Sequence, residues 1–280
     1  MDKLKVCVDL SSNSDESLFS LYNAYNERSE NVLNESYKSV LKVDTITEQT
    51  LIDAKRNRDF ERLLIANADC KNKLLELALW KSRMWANGKT LKVKFLESDN
   101  YLQGKVIHYA KKWEDFANIK FNFITTGNAE IRISFMMGKG SWSYVGTDAL
   151  SIRDQNKPTM NYGWFDSETP DIEFSRTVIH EFGHCLGCIH EHQSPSARIN
   201  WNKPVVYDYY WRTQGWTKED VDNNLFAKFD QSEITNSDFD KKSIMLYPIP
   251  KEFTTDDFSV GWNSILSTLD LDFIRRCYPK

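Results

Sequence analysis

The chain has 280 residues, of which 41% are hydrophobic, 27% charged and 13% aromatic, which is the composition of an ordinary globular protein and excludes disordered and fibrous classes. The net charge of −4 gives no basic field for nucleic acid or an anionic membrane, so we expect no nucleic-acid partner. We also expect no membrane span, because no apolar run approaches the required length, and the first residues show no secretory signal. The five cysteines are sparse and odd in number, unlike a disulfide framework.

The first part of the chain is predicted to be helical. Between Ser14 and about Met84 there is almost no Gly or Pro, and apolar residues such as Leu18, Leu21 and Tyr22 recur at helical spacings. This pattern indicates two to four amphipathic helices. We therefore expect residues 1–82 to form a helical N-terminal region.

The pattern of apolar residues changes after an Asn-Gly turn at Asn87-Gly88. There Leu91, Val93 and Phe95 alternate with lysines, as in a strand. A second domain is expected over residues 83–280. Its elements are predicted to be a helix over about 102–117, strands within 119–126 and 130–137, a loop with a short strand over 138–152, and a helix over 175–185.

Four of the five histidines lie close together in "HEFGHCLGCIHEH". His180 and His184 are four residues apart, so on a helix they point from one face and can bind the same metal ion. Gly187 follows where a helix commonly ends in a left-handed residue, which lets the chain reverse and return His190 as a third ligand. Three histidines with an open fourth position are typical of catalytic zinc. Helix-surface histidines that match this extended pattern by chance are far less probable than a zinc site.

Glu181 stands beside the first of these histidines. Zinc lowers the pKa of a bound water towards neutrality, and a nearby carboxylate can act as general base and then pass the proton to the leaving amine. We predict this role for Glu181. His192 and His108 lie outside the pattern, and we expect each to be a surface or a satisfied core residue.

The stretch "HEFGHCLGCIHE" resembles the extended zinc signature of the metzincin metalloendopeptidases, in the form seen in the astacin family. The resemblance extends to "KSIMLYP", which is similar to the methionine turn of metzincins and contains Met245. Tyr247 matches the tyrosine that in astacins can reach the metal and stabilise the oxyanion. The ending "LSTLDLDFIRRCYP" resembles the terminal helix of astacin and matrixin domains.

This resemblance implies an α+β, zincin-like catalytic domain with a mixed twisted sheet, long helices and one catalytic zinc. It also implies a protein or peptide substrate that lies extended along an edge strand. The best candidate for that strand is "AEIRISFMM", with Ile131, Ile133 and Phe135 as substrate-binding residues; an ordinary central strand is an equal alternative. Trp142 and Tyr144 are expected to form the upper wall of the cleft or to pack in the core.

Cys185 and Cys188 form a C-x-x-C pair, for which we favour packing of the helix end over a redox or metal role. The N-terminal region lacks the inhibitory motifs of astacin and matrixin pro-segments. We hypothesise that it covers the cleft, with Cys70 as the thiol available to zinc, but a stabilising or targeting domain is the preferred alternative.

The leading functional prediction is a zinc endopeptidase that cleaves internal peptide bonds. Its main alternative is a catalytically silent metzincin fold that uses zinc as a structural clamp for binding. The presence of Glu181 favours the enzyme, because this carboxylate has a chemical purpose only in activating water. Hydrolysis of a small non-protein amide is a further alternative.

Overall fold

The computed structural model describes residues 4–5, 8–10, 83–228 and 238–280. The helices predicted for the N-terminal region, and Cys70 with them, lie outside these ranges. The part of that region which the structure does describe includes a short strand, Val8–Leu10, which pairs with the strand Ser141–Tyr144.

The centre of the fold is a six-stranded mixed sheet in the order β1-β5-β6-β4-β2-β3. All neighbouring strands are parallel except β5 and β6, which are antiparallel. The mixed sheet predicted from the family resemblance is therefore present. Its strands are β1 (Val8–Leu10), β2 (Thr90–Phe95), β3 (Lys120–Phe123), β4 (Ile131–Ser134), β5 (Ser141–Tyr144) and β6 (Met160–Tyr162).

The strand predicted to bind substrate is interior. β4 pairs with β2 on one side and with β6 on the other, so its main-chain groups are not available to a further strand. Ile131 and Ile133 are buried in the hydrophobic core, and Phe135 packs against that core just beyond the strand end. The assignment of Ile131, Ile133 and Phe135 as edge-strand residues is thus wrong, and the central-strand alternative is correct.

Five α-helices are present in the described residues: α1 (Asn100–Ala110), α2 (Asp171–Cys185), α3 (Lys203–Gln214), α4 (Lys218–Val221) and α5 (Thr268–Cys277). The helix predicted over 102–117 ends at Ala110 and continues as a 3₁₀ turn to Asp115. α2 begins four residues before its predicted start, directly after Pro170. The negative charges of Asp171 and Glu173 in its first turn interact favourably with the positive end of the helix dipole.

Two hydrophobic clusters meet at the segment that carries Met245. The larger one fills the space between the sheet, α1 and α2, and it includes Phe174, Val178, Ile179 and Phe182 of α2. The smaller one packs α3 against Leu246 and Tyr247. Because Met245 belongs to the larger cluster and Tyr247 to the smaller, residues 245–247 lie at the boundary between the two clusters. No helix among the described residues is both long and apolar enough to span a bilayer.

Candidate active site

The histidine arrangement follows from how α2 ends. His180 and His184 lie one turn apart on α2 and are buried. The helix stops at Cys185, and Gly187 adopts a φ of +94°, which a residue with a side chain rarely tolerates. The main-chain bond from Cys188 N to Gly183 O, at 2.9 Å, closes this turn. The reversal brings the buried His190 back beside the other two histidines, as predicted.

The three imidazoles converge through their Nε2 atoms. The Nε2 of His184 lies 3.0 Å from that of His180 and 3.2 Å from that of His190, and the Nε2 atoms of His180 and His190 are 3.2 Å apart. A tetrahedral zinc with bonds of about 2.0–2.1 Å places its nitrogen ligands roughly 3.3 Å apart. The observed spacing therefore fits one zinc ion.

Hydrogen bonds at the far side of two rings support this fit. The Nδ1 of His180 is 2.8 Å from Ile244 O, and the Nδ1 of His184 is 2.9 Å from Cys188 O. Because a carbonyl only accepts, each Nδ1 carries the proton and each Nε2 is left with a lone pair. Lone pairs held this close together repel each other unless a cation lies between them. A metal ion bound by the Nε2 atoms would remove this repulsion.

Glu181 is completely buried on α2. Successive residues on a helix are about 100° apart, so Glu181 flanks the helix face that carries His180 and His184. A buried carboxylate is costly unless its charge is used or compensated. Glu181 is thus a buried carboxylate on the helix that carries His180 and His184.

Residues 244–245 of the methionine turn contact the segments that carry the histidines. Ile244 O accepts the hydrogen bond from His180, and Met245 O accepts one from Glu191 N at 3.0 Å, directly after the third histidine. The Met245 side chain also packs against the Cα of Gly183 on α2. The turn thus contacts both the helix that carries two of the histidines and the segment that carries the third.

We expect Gly183→Ala to destabilise the protein. A Cβ at Gly183 would overlap Met245 Sδ and lie 3.2 Å from Trp113 Cζ2, both of which are held in the core. Such overpacking costs about 1–3 kcal/mol, and each kcal/mol lowers the Tm of a domain of this size by roughly 2–4 °C. The matched control is Gly104→Ala in α1, where a Cβ meets nothing within 4 Å. That variant should be slightly more stable than wild type, and equal Tm losses in both variants would contradict the prediction.

Tyr247 lies against the histidines. Its ring centroid is 4.2 Å from that of His190 and 6.1 Å from that of His180, and its side chain is buried. His192 packs against the same tyrosine at 4.8 Å, is fully buried, and bonds through Nε2 to Asn224 O at 3.0 Å. His192 is thus a core residue, whereas His108 is exposed on α1, so each fits one of the two interpretations given to it.

A small pocket opens beside His180 and had no counterpart in the sequence analysis. It is lined by Arg176, His180, Ile244, Leu246, Tyr247, Trp262 and Asn263. The Arg176 guanidinium stacks 3.8 Å from the centre of the Trp262 ring and donates to Glu173 through Nε at 3.0 Å and Nη2 at 2.5 Å. Burial opposes ionisation of Glu173, but the hydrogen bond and charge of Arg176 outweigh it and lower the pKa of this carboxyl. The sequence signal that could have identified Arg176 is its position four residues before His180, on the same face of the helix.

The two cysteines at the C-terminal end of α2 are core residues. Cys185 and Cys188 are buried, free and part of the larger hydrophobic cluster, and burial raises the pKa of both thiols. Among the described residues, the only group of His, Cys, Asp and Glu side chains close enough together to hold a metal ion is the histidine triad. The structure therefore favours packing for this C-x-x-C pair.

The N-terminal residues that the structure describes contact both the sheet and the smaller hydrophobic cluster. β1 pairs in parallel with β5, with Val8 opposite Trp142 and Leu10 opposite Tyr144. Before it, Leu4 N donates to the hydroxyl of Tyr209 at 2.6 Å, and Leu4 packs against the smaller hydrophobic cluster. The segment thus binds to α3 at one end and to the sheet at the other.

Comparisons with known proteins agree with this geometry. The family model for the astacin peptidases matches residues 79–268. The structure of myroilysin superposes with a TM-score of 0.70 at 50% identity, covering 72% of this chain and 98% of that one. A second myroilysin crystal structure gives a TM-score of 0.57 at 50% identity, covering 71% and 87%.

A curated relative, Protein SpAN of Strongylocentrotus purpuratus, is 25% identical in a match over 202 residues that covers 65% of this chain. The match spans only 29% of the length of SpAN. The matched region of the family model contains the histidine triad, Glu181 and the methionine turn. The chain belongs to the astacin family of zinc metalloendopeptidases.

Proposed function

We propose that this chain hydrolyses internal peptide bonds of proteins by general-base catalysis, with Glu181 as the base. The observation that carries the proposal is the convergence of three buried imidazole nitrogens, two of them from α2, the helix that also carries the buried carboxylate of Glu181. His180, His184 and His190 would hold zinc, which when bound supplies a Lewis acid that lowers the pKa of water and polarises the scissile carbonyl.

The residues of the chain divide the remaining work. The carbonyls of Ile244 and Cys188 hold the protons of His180 and His184 on Nδ1, so that both rings keep their orientation. Glu181 takes a proton from the attacking water and carries it to the leaving amine. Tyr247, packed against His190, is proposed to donate a hydrogen bond from its hydroxyl to the oxygen that becomes negative during attack.

We propose β5, rather than β4, as the strand that binds substrate. β5 pairs with β6 on one side, and its other side is bound by β1, a strand from outside the matched family domain. An extended peptide could add to β5 through main-chain hydrogen bonds in place of β1. On this basis β1 competes with substrate, which is a specific form of the hypothesis that the N-terminal region covers the cleft.

Replacing Val8, Asp9 and Leu10 together by proline should raise kcat/KM for long peptides. Proline has no N–H to donate to a strand, so β1 would no longer pair with β5. Each main-chain hydrogen bond is worth about 0.5–1.5 kcal/mol, so loss of two such bonds, about 1–3 kcal/mol, corresponds to a roughly 5- to 150-fold rise. The matched control replaces the same three residues by threonine, which keeps the N–H groups. A lower Tm with unchanged kcat/KM in the proline variant would instead support a stabilising segment.

The test of the proposed function is digestion of an unbiased peptide library by the wild-type protein as purified, after removal of zinc by a chelator, and after zinc is restored. We expect cleavage of internal bonds that disappears with the metal and returns with it. Tight zinc binding without any cleavage, also in the triple-proline variant, would favour the silent binding module. Cleavage confined to small non-protein amides would overturn the endopeptidase assignment.

A further inference from the structure

The carboxylate of Asp270 lies near the start of α5 and bonds outside its own helix. It is buried, and its Oδ1 accepts from Ser243 Oγ at 2.7 Å. Its Oδ2 accepts from Ile244 N at 2.8 Å and from Ser267 N at 2.9 Å. Two of these three donors belong to the methionine turn, so α5 is tied to that turn through one side chain.

The same peptide segment bonds to a proposed zinc ligand. Ile244 donates its N–H to Asp270 and accepts, through its carbonyl, the hydrogen bond from His180 Nδ1 at 2.8 Å. Ser243 Oγ, which donates to Asp270, also accepts from Met245 N at 3.1 Å. Asp270 thus fixes consecutive residues of the turn whose carbonyl orients His180.

A comparison within the chain shows that this arrangement is not a requirement of helix capping. α4 and α5 both begin with a capping box, formed by Thr217 and Asp220 in α4 and by Ser267 and Asp270 in α5. The Asp220 carboxylate is exposed and accepts from the N–H and the hydroxyl of Thr217. Asp270 makes the equivalent bond to Ser267 N and, in addition, holds the turn. The two carboxylates share a capping role and differ in their link to the metal centre.

We propose that Asp270 is a positioning residue for the metal centre, which sets zinc affinity by holding the Ile244 carbonyl against His180. The inference rests on the proposed role of His180 as a ligand. Residues one step removed from the metal typically change its affinity about 10–100-fold when they are replaced. Because Asp270 acts through a peptide group, we expect an effect near the lower end of this range.

The experiment compares Asp270→Asn with Asp220→Asn in the full chain. In Asp270→Asn an NH2 group replaces one of the two carboxylate oxygens. Whichever way the amide is turned, that NH2 group faces a hydrogen-bond donor, either the Ser243 hydroxyl or the N–H groups of Ile244 and Ser267. Zinc dissociation constants are measured by competition with a chelator of known affinity, and Tm is measured with and without zinc. We expect about tenfold weaker zinc binding for Asp270→Asn, a larger Tm loss with zinc than without it, and wild-type affinity for Asp220→Asn.

Equal Tm losses with and without zinc, together with wild-type affinity, would show that Asp270 is only a structural cap and would overturn the proposal. If Asp270→Asn does not fold, Ser243→Ala removes one hydroxyl from the same link and should weaken zinc binding several-fold; wild-type affinity there would equally overturn it. His180→Ala separates the levels of the argument: if it binds zinc as wild type does, the ligand assignment fails and this inference with it. None of these measurements requires the protein to cleave a peptide.

Discussion

Glu181→Gln is expected to lower kcat/KM for peptide hydrolysis by about 10²–10⁴-fold, the usual contribution of a positioned general acid–base group, while the bound zinc remains. The amide has nearly the same shape and fits the same completely buried position. It cannot take the proton from water or carry it to the leaving amine. The three imidazoles are unchanged, so zinc content, measured by metal analysis of the purified variant, should equal that of wild type.

The matched control is Glu191→Gln, which also replaces a carboxylate next to a zinc-binding histidine. Glu191 Oε1 accepts from Asp240 N at 2.9 Å, and an amide oxygen can still do so. The variant therefore removes a carboxylate close to the histidines and keeps the shape and the hydrogen-bond acceptor of the side chain. We expect only a modest change in kcat/KM. Similar large losses in both variants would mean that negative charge near the metal, and not proton transfer, is what Glu181 contributes.

The zinc site could be predicted from the sequence because its determinants are local. The spacing of His180 and His184 acts through one helical turn, and Gly187 acts through a single left-handed residue. The position of His190 then follows from the reversal. Family resemblance supplied Met245 and Tyr247, which no local rule connects to histidines so far back in the chain.

The proposed substrate strand could not be predicted in the same way, because its position depends on strand order. The apolar sequence of β4 is compatible with an edge or a central strand, and only the pairing of β4 with both β2 and β6 decides between them. β5 lies in a glycine-rich stretch with a weak strand pattern, and its partner β1 comes from the far N-terminal end of the chain. The positions of Arg176, Trp262 and Asp270 near the site depend on contacts between residues far apart in the chain, which no local pattern predicts.

Tyr247→Phe should lower kcat by about 10²–10³-fold, the effect of removing one hydrogen-bond donor to a developing oxyanion, with little change in KM. The phenylalanine ring preserves the packing against His190 and His192, at centroid distances of 4.2 and 4.8 Å in the wild type, so fold and zinc content should be retained.

Tyr210→Phe provides the control, because Tyr210 is a fully buried tyrosine of the same hydrophobic cluster and none of its described contacts reaches the histidines. Steady-state kinetics of the two variants on the same peptide separates two roles of Tyr247. If kcat falls only in Tyr247→Phe, the Tyr247 hydroxyl acts in the transition state, because the phenylalanine ring packs as the tyrosine ring does. If kcat is unchanged in both, Tyr247 serves as an aromatic support for His190, and the oxyanion must be stabilised without a donor from this side chain.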